Sequence, residues 1–137
     1  MSENVPAQWI EAPRGTRLVR ALLAADRAGL ERRLADQVHF NSPIRRYERR
    51  GEVVHLMSLI GSILPGAQIE RSWRGTDGAV TIISAIVDGA RLDGMVEELC
   101  DGNARVREVT LMLRPHSAMM LAIKRMAAAL EQDPFPA

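Results

Sequence analysis

Cysteines, aromatic residues and an excess of charge of one sign, features that often indicate a protein's class, are scarce in this sequence. Cys100 is the only cysteine among 137 residues, so an intrachain disulfide is impossible and we expect a reducing compartment, the cytoplasm. Aromatic residues make up only 4% of the chain, and the formal net charge is +1. Nucleic-acid-binding proteins concentrate basic and aromatic side chains, so we expect no nucleic-acid partner. The short basic runs Arg32-Arg33 and Arg45-Arg46 are interpreted as solvated charges.

Targeting segments and cofactor motifs are also missing from the sequence. No apolar run approaches the ~20 residues that cross a bilayer, and the first residues predict no secretory signal. His39, His55 and His116 lie far apart without metal-ligand spacing, so no metal site is expected. No glycine-rich loop joins a strand to a helix, which argues against the binding of a nucleotide phosphate. We expect no cofactor.

The composition is that of an ordinary globular domain, with 47% hydrophobic and 26% charged residues. We predict an N-terminal arm over residues 1–13, one domain over residues 14–131 and a loose tail over residues 132–137. Apolar spacing predicts helices from about residue 16, over 30–35, over 52–64 and from 117 to about 130. A short strand is predicted over 38–42, where Pro43 ends it because proline cannot donate to a ladder.

Three Asp-Gly pairs follow the third helix at even intervals. Asp77-Gly78, Asp88-Gly89 and Asp101-Gly102 tolerate the positive φ of tight hairpins, so they predict an antiparallel meander. Its four strands are expected over residues 67–74, 79–87, 91–100 and 106–114.

Alternation along these strands predicts which side chains face the helices. The inward set is expected to be Ile69, Arg71 and Trp73, then Leu92, Val96, Glu98 and Cys100, then Val109, Leu111 and Leu113. The second strand is apolar on both faces. Its outer face therefore needs a cover, and we expect a homodimer packed through the outer face of the sheet.

The order of these elements resembles that of the nuclear transport factor 2-like superfamily, and in particular of SnoaL-like domain proteins. The resembling residues are Leu34-Ala35-Asp36, Phe40-Asn41-Ser42-Pro43 and Arg114-Pro115-His116-Ser117. The resemblance covers about residues 17–130. It implies a cone-shaped α+β fold, in which a curved antiparallel sheet is wrapped by helices around a pocket.

The resemblance also allows the chemistry of the superfamily's enzymes to be checked against this sequence. Ketosteroid isomerases have an aspartate base before the proline of the short strand, where this chain has Ser42. Their tyrosine and aspartic acid oxyanion donors correspond to Leu18 and Val96. Isomerase chemistry of that kind is therefore disfavoured.

Two further enzyme types leave partial matches. Asn41 matches an asparagine of limonene epoxide hydrolases, and His39 lies where their tyrosine would be, but their base corresponds to Leu111. SnoaL-type cyclases place a histidine and an acid in the pocket, and His39 and Glu98 are the available pair here. Glu98 is the strongest candidate for a catalytic acid or base, because it is predicted to lie on the same strand face as apolar residues, where burial would raise its pKa.

Two orientations of the short strand remain open. Either His39 and Asn41 or Phe40 and Ser42 face the pocket, and we favour His39 and Asn41. The predicted catalytic residues are thus Glu98, His39 and Asn41, and the predicted ligand-binding residues are Phe40, Ser42, Arg71, Trp73, Val96, Val109, Leu111, Leu113 and His116.

Two functions follow from these residues. The first is binding of a small hydrophobic molecule in the pocket without chemistry. The alternative is a cofactor-free isomerase, cyclase or epoxide hydrolase that uses Glu98 as acid or base, with His39 or Asn41 orienting substrate or water. The position of Glu98 relative to His39 and Asn41 distinguishes the two.

Overall fold

A computed structural model of the chain describes residues 9–137, so most of the predicted N-terminal arm lies outside the described residues. In chain order the elements are β1 (Ile10–Glu11), α1 (Arg17–Leu23), α2 (Arg27–Arg33), β2 (Leu34–Asn41), β3 (Arg46–Tyr47), α3 (Arg50–Ile63), β4 (Gln68–Arg74), β5 (Gly78–Val87), β6 (Ala90–Cys100), β7 (Val106–Arg114) and α4 (His116–Gln132).

Side-chain caps fix the starts of the first two helices. The Thr16 hydroxyl accepts a hydrogen bond from the Val19 amide at 3.1 Å, and the Asp26 carboxylate accepts one from the Gly29 amide at 3.0 Å. Each cap satisfies a backbone donor that the helix itself leaves without a partner. With Asp26 as its cap, α2 begins at Arg27, three residues before the start predicted at Leu30. The helix ends at Arg33, and β2 begins at the next residue, Leu34.

The strands form one seven-stranded sheet in the order β1-β4-β5-β6-β7-β2-β3. The pairs are antiparallel except β2 with β7, which run parallel. The predicted meander is β4 to β7, and Asp88 and Gly89 join β5 to β6 with φ values of 50° and 82°. The α+β fold class predicted from the sequence is therefore confirmed.

The hydrophobic core lies between one face of this sheet and the helices. Phe40, Val96 and Val109 from the sheet and Leu18 and Met57 from the helices are each at most 1% exposed. The outer face of the sheet carries exposed apolar side chains instead, including Met112 at 60% exposure. No helix within residues 9–137 is long and apolar enough to cross a membrane.

The C-terminal tail packs against the domain, contrary to the prediction that it is loose. The Phe135 ring lies 5.9 Å from the Tyr47 ring and 5.8 Å from the His55 ring, measured between centroids. His55 is only 3% exposed, and its Nε2 donates to the Asp133 carbonyl at 2.7 Å. The tail thus covers a histidine that lies 78 residues earlier in the chain.

Candidate functional site

A cavity of about 160 Å³ lies between the inner face of the sheet and helices α3 and α4. Its lining residues are Phe40, Ser42, Pro43, Ile44 and Tyr47, then Leu56, Ile60, Ile63 and Leu64, then Leu111 and Leu113, then Ala122, Ile123, Met126, Ala127 and Leu130. None of these side chains is a carboxylate, an imidazole, an ammonium or a guanidinium. The wall is therefore almost entirely hydrocarbon, apart from the hydroxyls of Ser42 and Tyr47.

The Ser42 hydroxyl is held by the turn that follows β2. It donates to the Arg45 carbonyl at 2.9 Å and accepts from the amides of Arg45 at 3.1 Å and Ile44 at 3.3 Å. A serine hydroxyl has one donor hydrogen and two acceptor lone pairs, so its hydrogen-bonding capacity is used within the turn. Ser42 lines the cavity, but its polar atom stabilises the backbone.

Tyr47 forms an aromatic wall between the cavity and the C-terminal tail. Its ring stacks on Phe40 with a centroid distance of 6.4 Å and contacts Phe135 on another side. The Arg45 guanidinium lies 4.7 Å from the centre of the Tyr47 ring, in a cation–π arrangement. Ile44 is 62% exposed while also lining the cavity, which places the cavity's opening beside this residue.

His39 and Asn41 lie on the opposite face of the sheet, so the orientation favoured from the sequence is wrong. The register of β2 against β7 is irregular between Leu34 and His39, and Phe40 is 1% exposed on the inner side. Arg46 Nη2 donates to His39 Nδ1 at 2.6 Å, and Arg46 Nη1 donates to Asn41 Oδ1 at 2.8 Å. These two residues belong to a surface network and do not reach the cavity.

Glu108 completes this network on the outer face. Asn41 Nδ2 donates to Glu108 Oε2 and to Thr110 Oγ1, each at 2.9 Å. The hydrogen bond from Asn41, followed by that from Arg46, holds the pKa of the Glu108 carboxyl below its ordinary value. The Asn41 amide is thus committed to neighbouring side chains on β3 and β7, where it joins the strands.

Glu98 is buried on the inner face, as its alternation with apolar residues predicts, but it does not line the apolar cavity. It is 4% exposed and accepts a hydrogen bond from the Thr16 hydroxyl. Burial raises the pKa of its carboxyl to about 7, although the Thr16 hydrogen bond and the charge of Arg74 both act to lower it. The side chain borders a separate cleft of about 310 Å³.

The remaining predicted ligand-binding residues are divided between the core, the cavity and the surface. Leu111 and Leu113 line the cavity, whereas Val96 and Val109 are core residues at 0% and 1% exposure. Arg71 and Trp73 were expected inside and lie on the outer face, because the register of β4 shifts between Ile69 and Arg71. His116 is exposed at the start of α4 and does not line the cavity.

Sequence reasoning missed several residues around both openings. Tyr47 stands in a two-residue strand within a charged stretch, and no periodicity marks so short an element. Met126 and Leu130 belong to an apolar helical stripe, a pattern typical both of a core and of a pocket wall, so spacing alone does not distinguish the two. Thr16 could have been found as an N-cap signal, but its contact with Glu98 spans 82 residues of sequence.

Comparison with known proteins gives fold-level matches only. No protein-family model matches the chain, and no curated protein matches its sequence. Within residues 9–137 there is also no group of three or more histidine, cysteine or acidic side chains arranged to hold a metal ion.

Solved structures do match. An uncharacterized protein with a cystatin-like fold from Silicibacter pomeroyi superposes with a TM-score of 0.80 at 15% identity, over 85% of this chain and 84% of that one. A steroid delta-isomerase from Pseudomonas aeruginosa gives 0.77 at 21% identity, over 83% and 86%. An NTF2-like protein from Cytophaga hutchinsonii gives 0.60 at 11% identity, over 75% and 88%. The chain has the nuclear transport factor 2-like fold.

This assignment confirms the fold that the sequence resemblance implied. Identities this low establish shared architecture and leave the chemistry to the residues of each chain. In this chain the apolar cavity is lined by Ser42 and by none of the candidate acids, and Glu98 borders a different opening.

Proposed function

We propose that this protein binds a small apolar molecule in the cavity between the sheet and helices α3 and α4, without catalysing a reaction there. The observation that carries the proposal is the lining itself, to which residues 9–137 contribute no charged or imidazole side chain. Ligand pockets are typically lined by apolar side chains with a few polar groups that set orientation. Besides Ser42, Tyr47 is the lining residue that carries a hydroxyl.

The cavity's size limits the ligand. An apolar cavity of about 150 Å³ in another protein stays dry and binds benzene or xenon, so 160 Å³ suits one ring or a short branched hydrocarbon. A four-ring steroid is much larger than this space. The similarity to a steroid delta-isomerase from Pseudomonas aeruginosa therefore does not extend to a ligand of that size.

Proton abstraction in this cavity lacks its acid and base. Leu18 and Val96, which the sequence resemblance aligns with the oxyanion donors of isomerases, are apolar and at most 1% exposed. The Ser42 hydroxyl is committed to the turn after β2. The enzyme hypothesis that combined Glu98 with His39 or Asn41 also loses support, because these groups lie on opposite faces of the sheet.

Calorimetric titration with toluene tests the proposal. Ala127 and Ala128 are adjacent exposed residues of α4, but only Ala127 lines the cavity, so Ala127→Phe and Ala128→Phe form a matched pair. We expect saturable, one-site binding to the wild type and to Ala128→Phe, and binding at least tenfold weaker to Ala127→Phe. An absence of saturable binding to the wild type, or equal loss in both variants, would contradict the proposal.

We also propose that the protein forms a homodimer through the outer face of the sheet. Ile82 pairs with Met95, and Met95 pairs with Met112, so these side chains form an apolar row across three strands. Met95 and Met112 are 39% and 60% exposed in the single chain. A contiguous exposed apolar patch of this kind is typical of a protein–protein interface.

A further inference from the structure

The second cleft brings together positive charges that are scattered in the sequence. Arg17 of α1, Arg33 of α2 and Arg74 of β4 all line it, and Glu98 borders it from β6. Arg17 and Arg74 are exposed and Arg33 is half-buried, so their guanidinium groups are accessible from solvent. Within residues 9–137, none of these three arginines forms an ion pair.

The positive charge continues beyond this cleft. Arg17 and Arg33 also border an adjoining groove between α1 and α2, together with Arg20 and Arg32. Among residues 9–137, Asp26 is the only acidic residue that lines this groove, and its carboxylate is occupied in capping α2. The cleft and groove together therefore present an excess of positive charge, which raises the local concentration of anions.

Glu98 is an acidic residue among these basic groups, and its protonation state decides whether it attracts or repels an anion. One of its carboxyl oxygens accepts from Thr16, and burial favours its protonated form. A protonated carboxyl group donates one hydrogen bond, whereas a carboxylate only accepts. Protonated Glu98 can therefore donate to an anion in the cleft, while ionised Glu98 would repel it.

Charged and titratable groups reach the surroundings of Glu98 from several neighbouring elements. They are Arg17 from α1, Arg33 from α2, Arg74 from β4 and Cys100 from its own strand, with Asp101 just beyond, while β5 and β7 present Ala79, Val106 and Val109. Arginine stays charged throughout the accessible range, and burial followed by the charges of Glu98 and Asp101 raises the pKa of the Cys100 thiol. No histidine lines the cleft.

We propose that this cleft is a second binding site, for a small organic oxyanion held by Arg17, Arg33 and Arg74 and by a hydrogen bond donated from Glu98. Arginine recognises carboxylate and phosphate groups alike, so both a carboxylic acid and a phosphate ester fit this chemistry. The cleft volume of about 310 Å³ leaves room for a ring or short chain beside the charged group. This site is independent of the apolar cavity.

The site couples anion binding to proton uptake. Only the fraction of molecules with protonated Glu98 binds well, and the apparent dissociation constant rises as that fraction falls. For a carboxyl that titrates near neutral pH, benzoate is expected to bind about tenfold more weakly at pH 8 than at pH 6. Benzoate itself remains ionised over this range, so the change reports on the protein.

Titration calorimetry with benzoate at pH 6 and pH 8 tests the proposal. Glu98→Gln keeps a hydrogen-bond donor at every pH, so it is expected to bind benzoate equally at both values. Glu97→Gln is the matched control, because Glu97 is exposed on the outer face of the same strand and should retain the wild-type pH dependence. Loss of the pH dependence in both variants, or in neither, would overturn the role of Glu98.

A second pair of variants tests the location. Arg74 lines the cleft and Arg71 lies on the outer face of the same strand, so Arg74→Gln should weaken benzoate binding at least fivefold and Arg71→Gln should leave it unchanged. Phenyl phosphate at pH 6 distinguishes the two oxyanion classes, since it carries the same ring. Saturable binding of neither benzoate nor phenyl phosphate would refute the site, as would benzoate binding abolished by Ala127→Phe.

Discussion

Substitution of Glu98 by Gln is expected to raise the unfolding free energy, relative to that of the wild type, as pH increases. The ordinary pKa of this carboxyl is 4.5, and burial raises it to about 7 in the folded protein. The folded state therefore binds this proton more tightly than the unfolded chain does. Wild-type stability from this group is greatest at acid pH, falls as pH rises from 4.5 through 7, and is level above that range.

The size of the effect follows from the shift. At about 1.4 kcal/mol for each tenfold change, the difference between the two pKa values corresponds to about 3 kcal/mol. Between pH 5 and pH 8 the wild type is expected to lose about 2.5 kcal/mol of unfolding free energy through this group. Glu98→Gln has no proton to lose at this position, and its amide oxygen can still accept from Thr16, so it should avoid that loss.

Urea unfolding at pH 5, 6, 7 and 8 measures the difference. The stability of Glu98→Gln relative to the wild type should rise by about 2.5 kcal/mol across this range. The exposed neighbour Glu97, changed to Gln, should show no comparable trend. A difference between Glu98→Gln and wild type that stays constant within about 0.5 kcal/mol from pH 5 to pH 8 would refute the inference that burial controls this carboxyl.

Three further substitutions test other parts of the structure. Met112→Glu should convert a dimer into a monomer in sedimentation experiments. Met120 is exposed on α4, away from the sheet, so Met120→Glu should leave the dimer intact. Equal behaviour of both variants would contradict the proposed interface. Phe135→Ala should lower the unfolding free energy measured in urea by about 1–2 kcal/mol, because the Phe135 ring is half-buried against Tyr47 and His55. An unchanged unfolding free energy would show that the tail contact does not stabilise the fold. Ser42→Ala should cost about 1 kcal/mol of stability yet leave toluene affinity unchanged; a large loss of affinity would show that the hydroxyl serves the ligand.

Local signals predicted the helices and the antiparallel meander, whereas the cone-shaped fold followed from the resemblance to the nuclear transport factor 2-like superfamily. Asp88-Gly89 adopts the positive φ angles that its residue types tolerate, and alternation placed Glu98, Val109 and Leu111 on the inner face. Both features depend on residues adjacent in sequence. They are therefore readable without knowledge of distant contacts.

The errors arose where a strand changes register. An irregularity in β2 before His39 decides which side chains face the cavity, and a similar shift in β4 after Ile69 turns Arg71 and Trp73 outward. A β-bulge moves every following side chain to the other face, and alternation alone does not reveal its position.

Distant contacts caused the remaining differences. His55 is buried because Asp133 and Phe135 return to it from the end of the chain. The arginine cleft is assembled from α1, α2 and β4, so no single stretch of sequence shows it. The proposed apolar ligand site likewise depends on α4 closing over the inner face of the sheet.

The most direct test of the proposed ligand site is to observe where a bound apolar molecule lies. In methyl NMR spectra recorded with increasing toluene, the methyl signals of Leu111, Ile123 and Met126 should shift saturably, since these residues line the cavity. The methyl signals of Ile82 and Met95, on the outer face, should remain in place. Shifts confined to the outer face, or no saturable shift at any of the three cavity residues, would contradict the account.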